Sequence, residues 1–537
     1  MVKNSILFLL IFCTQVSYAQ NGRYAIFLAD KEGTAFSIEN PLAFLSQKSI
    51  DRRVKNTVTI SEEDFPVNST YVDQIKSLGA EILYTSRWMN AAITQLDDGE
   101  LADIALLPFV SSYEYLGPNV EASGGRIRKV KDIKDSNLGI VNQVQLSMLG
   151  LDDMHTEDIY GQGITIAVFD SGFPGVDKAE AFKALLEEGR ISFTKDVIGN
   201  SGNVFQYDEH GTEVLSIMAA DQAGSFLGGV PKANYQLFVT EDVSSEFRIE
   251  EYNWLVAAEK ADSAGVDIIN SSLGYNLFDD ANMDYSKVQL DGNTALVSKA
   301  ASLAISKGIF VVVSAGNDGN SSWQLVNPPA DVDGALAVGS VTSTGNLSSF
   351  SSVGPTADGR IKPDVVALGS SVSVIKSNGN TGFTSGTSAA TPLITSLVAG
   401  LMQTFPELTV SELYDLVIAS GNVSSNPTNQ KGYGVPNYSG AKVIQLGEEP
   451  AVHTSAVYLF PNPSFDNTVK LEIDVPIGQF ATVHIYSLQG QLMLRSEGEI
   501  TYSNNPIELD VSDIGSGLYI VKVESEGILR TIRLIKL

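Results

Sequence analysis

The chain has 537 residues, too many for one ordinary core, so several domains are expected. Its 43% apolar and 18% charged content is that of folded protein and excludes overall disorder. A net charge of −28 argues against nucleic acid as a partner and weakens any pull toward anionic membranes; an acidic surface suited to solubility outside the cell accounts for it.

Residues 1–19 read as a secretory signal. Lys3 supplies the positive start, residues 6–12 are an apolar run too short to anchor in a bilayer, and Ser17-Tyr18-Ala19 offers small residues for cleavage after Ala19. The single cysteine, Cys13, lies inside this segment, and Phe12 before it speaks against a lipoprotein. The processed chain is thus expected to lack thiols and disulfides and to rely on packing, with bound ions as a further source of stability. No later apolar run is long enough to span a membrane, so no transmembrane anchor is expected.

Residues 20–122 alternate strand and helix patterns and predict a small α+β domain. Strands are expected at 24–28, 82–84, 91–93 and 110–115, and helices at 71–79, stopped by Gly79, and at 101–107. Residues 123–139 form a basic linker that opens on Gly124-Gly125-Arg126-Ile127-Arg128-Lys129; it is either a site of nicking or a solvated loop.

From 140 to 445 short β-branched apolar runs alternate with helical patterns. The runs at 164–169, 266–270 and 308–313 read as buried parallel strands, and 250–264 and 295–307 as helices between them. Repeated βα units imply a mostly parallel sheet flanked by helices, with a site beyond the carboxyl ends of its strands. A linker is expected at 446–456. Residues 457–537 then turn to short strands at 469–475, 481–486, 518–523 and 531–535, the pattern of a small β-sandwich.

Three segments carry chemistry: Asp170-Ser171-Gly172, His210-Gly211-Thr212, and Gly386-Thr387-Ser388 opening a helix of small and apolar residues. Taken singly, each has a structural reading: a capping turn, a buried histidine, a helix N-cap. Together, in this order and on these elements, they supply a carboxylate, an imidazole and a hydroxyl, the set that makes serine a nucleophile. Ser388 needs a base, His210 can carry the proton, and Asp170 can orient the ring.

These segments resemble the subtilisin-like serine proteases, whose chain order is Asp, His, Ser. The resemblance covers residues 145–445. It includes Ser314-Ala315-Gly316-Asn317, similar to the family's oxyanion segment; residues 350–355 and 359–364, similar to the stretch before the nucleophile; and Asn270-Ser271-Ser272-Leu273-Gly274, similar to the strand that pairs with extended substrate. It implies a secreted serine endopeptidase acting through an acyl-enzyme, with Asp170, His210 and Ser388 as triad and Asn317 in the oxyanion hole. Ser271, Ser272, Leu273, Gly274, Ser314, Ala315 and Gly316 would bind substrate.

By position and pattern the first unit resembles a subtilase propeptide. The last resembles the C-terminal sorting domain of type IX secretion cargo, on Phe460-Pro461-Asn462-Pro463, residues 485–490 and 516–520, and the ending at 532–537; a carbohydrate- or partner-binding β-module is its alternative. The resemblances imply polypeptide substrates, type IX secretion machinery as a partner, and passage to the periplasm and then across the outer membrane. The competing reading is a catalytically silent binding or adhesion protein on the same scaffold. No cofactor is required by the chemistry and no metal ligands are assigned. Asp279, Asp280, Asp284 and Asp291 form an acidic insert that suits calcium or a solvated loop, without the spacing of a defined calcium loop.

Overall fold

The computed structural model describes residues 21–119, 142–447 and 457–536, the last span apart from 463, 465–466, 474–479, 488–490, 500–506 and 526–527. The expected signal segment, the basic linker 123–139 and nearly all of the second linker lie outside the described residues. The chain divides into two compact units, Met1–Ile444 and Gln445–Leu537.

The first unit begins with a small α+β layer: β1 (Gly22–Leu28), α1 (Gln47–Lys55), α2 (Ser69–Ser77), β2 (Glu81–Ser86), β3 (Ala91–Leu96), α3 (Asp98–Ile104) and β4 (Val110–Pro118). The strands form an antiparallel sheet in the order β2-β3-β1-β4. Alternation along β1 sends Tyr24, Ile26 and Leu28 to the layer's own helices and Ala25 to the opposite face. Two helices differ from the sequence expectation. Helix α3 starts three residues earlier, because Asp97 accepts the amides of Gly99 and Glu100 while the Glu100 carboxylate accepts the amide of Asp97. Helix α1 was not foreseen; it is poor in apolar residues and buries arginines instead.

The larger part follows: β5 (Thr165–Asp170), β6 (Ile191–Asp196), α4 (His210–Ala219), β7 (Asn234–Val239), α5 (Ile249–Ala264), β8 (Ile268–Ser271), α6 (Leu296–Ser306), β9 (Phe310–Ser314), β10 (Leu336–Val341), β11 (Val365–Leu368) and α7 (Thr387–Thr404). The seven strands are all parallel, in the order β11-β10-β9-β8-β5-β7-β6. Chain progression reverses at β5, and the crevice outside its carboxyl end is where such sheets bind ligands. Ile166 and Val168 of β5 face one core, shared with α4 and α7; Ala167 and Phe169 face the other, shared with α5 and α6. Burial on both faces is why these strands read as continuous apolar runs.

The α+β layer docks on the α5/α6 side, where Ala25, Ala91, Ile93 and Leu116 enter that core. A buried polar seam lines the contact. Arg52 and Arg53 of α1, together with Arg87, converge on the Asp262 carboxylate of α5, and Arg53 also pairs with Asp64. Glu259 of α5 accepts from the Ser86 hydroxyl and from the amides of Arg87 and Trp88.

The second unit holds β12 (Val457–Phe460), β13 (Thr468–Ile473), β14 (Phe480–Ser487), β15 (Leu492–Glu499), β16 (Ile507–Asp510), β17 (Gly517–Ser525) and β18 (Ile528–Lys536). They form two antiparallel sheets, β12-β13-β16 and β15-β14-β17-β18. Val469, Leu471 and Leu509 of one share a core with Val483, Ile485, Val521 and Val523 of the other, a sandwich as expected. Among the described residues no helix is long and apolar enough to cross a membrane.

Candidate active site

Asp170 closes β5, on the face that already carries Ile166 and Val168, and its side chain is fully buried. Its Oδ1 accepts the amide and hydroxyl of Ser171 and lies 2.8 Å from Nδ1 of His210; Oδ2 is buried with no hydrogen-bond partner. An ionised carboxylate only accepts, so in the neutral ring Nδ1 carries the hydrogen and the lone pair is left on Nε2. His210 is the first residue of α4, held there by its amide donating to Asp208 Oδ1 at 2.9 Å. Burial works against the cationic ring, but the Asp170 charge and hydrogen bond, with Glu213 and Asp208 behind them, outweigh it. The pKa of His210 is raised to about 9.

Ser388 is the second residue of α7, whose N-cap is Gly386 in extended conformation. Gly386 has no side chain to cap this end; the Ala389 amide turns back to the Gly386 carbonyl at 3.1 Å, and the Ser388 amide donates to no acceptor among the described residues. Asn317 is fixed next to it: its Oδ1 accepts the Thr387 amide at 2.8 Å and the Thr387 hydroxyl at 3.0 Å. The amide group Nδ2 is left facing the space beside Gly386. A Cβ on Gly386 would stand 2.8 Å from Ser388 Oγ and 3.4 Å from Asn317 Nδ2, so hydroxyl and amide line one small cradle.

Ser314 ends β9, and its hydroxyl donates to the Leu273 carbonyl at 3.0 Å. Ala315 pairs through its amide with Val338 and through its carbonyl with Asn327. Gly316 turns the chain with φ +105, a left-handed conformation in which a Cβ would also meet Asn327 Nδ2 at 2.8 Å; only glycine fits there, and the turn aims Asn317.

Ser271, in β8, is buried and accepts from Trp254 Nε1. Ser272 donates to the Ser388 carbonyl at 3.0 Å. Because Ser271 of β8 is paired with Phe169 of β5, this bond fixes the start of α7 beside the strand that ends in Asp170. Helices α4 and α7 pack together on that face. The carboxylate–imidazole pair and the hydroxyl–amide pair thus share one rim of the sheet. Among the described residues no hydrogen bond joins Ser388 Oγ to His210, a contact that is often long in free enzymes and tightens with substrate. Leu273 is half-buried and Gly274 exposed, and neither amide donates a hydrogen bond among those described, leaving a short free edge next to Ser388.

The acidic insert does not converge. Asp279 accepts the Glu246 amide, Asp280 holds Asn282, Asp284 accepts the Phe278 amide, and Asp291 holds Asn293 and Thr294. A different set does: Glu241, Glu246 and Glu250, passed over in the sequence, each bring a carboxylate oxygen within 4.8 Å of the others. Burial holds all three carboxyls above the usual range; the charge of Glu246 adds to it at Glu241, those of Glu241 and Glu246 at Glu250, and those of Asp279 and Glu251 at Glu246, where a hydrogen bond with Glu250 works the other way. The readable signal was three glutamates in ten residues just past a strand's carboxyl end.

Three stretches of the chain match models of known families. The model of the subtilase family matches residues 161–435, that of the peptidase S8 propeptide domain of Bacteroidota residues 23–132, and that of the secretion system C-terminal sorting domain residues 458–536. Subtilisin NAT of Bacillus subtilis subsp. natto is 27% identical over 359 residues, 66% of this chain and 81% of its own. Subtilisin DY of Bacillus licheniformis is 31% identical over 288 residues, 53% of this chain and 90% of its own. The crystal structure of the epidermin leader peptide processing serine protease of Staphylococcus aureus superposes with a TM-score of 0.55 at 16% identity, covering 79% of this chain and all of that one, a likeness of fold.

Proposed function

The chain belongs to the subtilase family and is a serine-type endopeptidase with a propeptide and a C-terminal secretion sorting domain, and on that premise we propose that Asp170, His210 and Ser388 are its triad and Asn317 its oxyanion donor. The observation that carries the assignment is the 2.8 Å contact between Asp170 Oδ1 and His210 Nδ1, at the rim where Ser388 begins α7.

The chemistry follows from these positions. His210 Nε2 takes the Ser388 proton as the hydroxyl oxygen attacks the peptide carbonyl, and Asp170 stabilises the imidazolium that forms. Negative charge develops on the former carbonyl oxygen, and Asn317 Nδ2 and the Ser388 amide donate to it. The intermediate collapses to an acyl-enzyme as His210 gives its proton to the leaving amine. Water, activated by the same ring, then releases the acid. The free amides of Leu273 and Gly274 would pair with the substrate backbone, which grips extended peptide irrespective of sequence. Ser314, Ala315 and Gly316 shape the turn that presents Asn317.

Residues 1–19 would direct the chain to the periplasm, and the C-terminal sandwich would engage the type IX secretion machinery for transfer across the outer membrane. Peptide hydrolysis by the Ser388→Ala protein tests the assignment. Loss of hydrolysis with an unchanged melting temperature is expected; undiminished cleavage would refute it.

A further inference from the structure

The turn between β7 and α5 starts at the candidate site, where the Thr240 amide donates to the Asp170 carbonyl at 3.0 Å. It then brings Glu241 and Glu246, both partly exposed, against Glu250 in the first turn of α5, 2% exposed. One Glu250 oxygen accepts the Asp242 amide at 2.8 Å; the other, Oε2, is buried with no partner. Glu241 Oε1 accepts from the Thr240 and Tyr275 hydroxyls. The guanidinium of this turn, Arg248, is committed elsewhere, to Glu114 and to the Met283 carbonyl.

Three buried or half-buried carboxylates with an orphaned oxygen among them are costly unless something positive joins them. Three points no more than 4.8 Å apart all lie within about 2.8 Å of a common centre, since 4.8/√3 ≈ 2.8. Calcium takes oxygen ligands at about 2.3–2.6 Å in flexible geometry, so a small closure of the turn would complete the bonds, whereas magnesium requires about 2.0–2.1 Å and near-octahedral order. A cavity of about 50 Å³, lined by Asp242, Ser245 and Glu250 and closed from the α+β layer by Arg23, Leu83 and Tyr84, adjoins the cluster and has room for water to fill remaining positions.

We propose that Glu241, Glu246 and Glu250 bind one calcium ion, which ties the turn following β7 to α5. The ion restrains the chain that leaves the Asp170 rim and carries Phe247 against Gly117 of the α+β layer.

The test uses the full chain with Ser388→Ala, to prevent self-digestion, stripped with chelator and titrated with calcium chloride by calorimetry. Melting is followed with and without the metal. The same measurements are made after adding Glu246→Gln or Glu250→Gln. The proposal expects either variant to lose one equivalent of calcium and the part of the melting-temperature rise that goes with it, with magnesium unable to substitute. Glu246→Gln without metal should melt no lower than its parent, because removing one carboxylate relieves repulsion; this variant keeps the test readable if Glu250→Gln fails to fold. Unchanged calcium stoichiometry and unchanged calcium-dependent melting in Glu246→Gln would overturn the proposal. So would a parent that takes up no calcium.

Discussion

His210 Nδ1 lies 2.8 Å from Asp170 Oδ1, although the two are 40 residues apart in the chain. One residue ends a central strand and the other begins a helix on the face to which that strand end points. The pair therefore sets both the tautomer of the ring and its basicity.

That basicity predicts an alkaline enzyme. His210 must be neutral at Nε2 to act as a base, and its pKa stands at about 9. kcat/KM should rise with pH and level only above about 9. Asp170→Asn removes the charge that raises the pKa; the rising limb should move toward lower pH while turnover falls by about 10⁴, a size carried over from related triads. Stability should follow the opposite sign. A pKa raised above the ordinary 6.5 means that protonated His210 favours the fold, an effect complete below about 6.5 and lost as pH climbs through about 9. A pH–rate profile and melting curves across this range check both.

Asn317→Ala should lower kcat by roughly 10²–10³ and leave KM nearly unchanged; the size comes from a bacterial subtilisin's oxyanion asparagine. Steady-state kinetics on a peptide substrate separates the two constants, and a change confined to KM would remove Asn317 from the oxyanion role.

Gly386→Ala tests the cradle without backbone strain, because Gly386 is extended (φ 163). The added methyl would stand 2.8 Å from Ser388 Oγ and intrude where the oxyanion is to sit. Turnover should drop by about 10²-fold, as for an ångström-scale misplacement, with the melting temperature kept.

Asp262→Asn should destabilise the full chain by about 3–5 kcal/mol, because Arg52, Arg53 and Arg87 would keep their buried charges without a shared carboxylate. Urea denaturation of the Ser388→Ala chain, with and without the change, measures it.

The parts of this molecule that obey local rules were legible in its sequence. Strand β5 announced itself because parallel strands buried on both faces are unbroken apolar runs, and the helices around residues 250–264 and 295–307 because they are bounded by strands on either side. The residues proposed as the triad stood out because each sits at a strand end or helix start with a distinctive dipeptide beside it. Helix α1 stayed hidden because Arg52 and Arg53 are buried by a carboxylate roughly 210 residues away, a partnership that periodicity cannot reveal. The start of α3 was misplaced because the apolar residues Leu101 and Leu107 outweighed the capping pair Asp97 and Glu100. The glutamate cluster was missed for a related reason. Glu241 and Glu246 are ordinary loop acids until the turn folds them onto Glu250.

The most direct test is to treat the mature enzyme with a fluorophosphonate and locate the adduct by peptide mass mapping. The account predicts a single modified hydroxyl, Ser388, with labelling lost in His210→Ala and in Ser388→Ala. An enzyme that cleaves peptides yet carries the adduct on another residue, or none on Ser388, would contradict it.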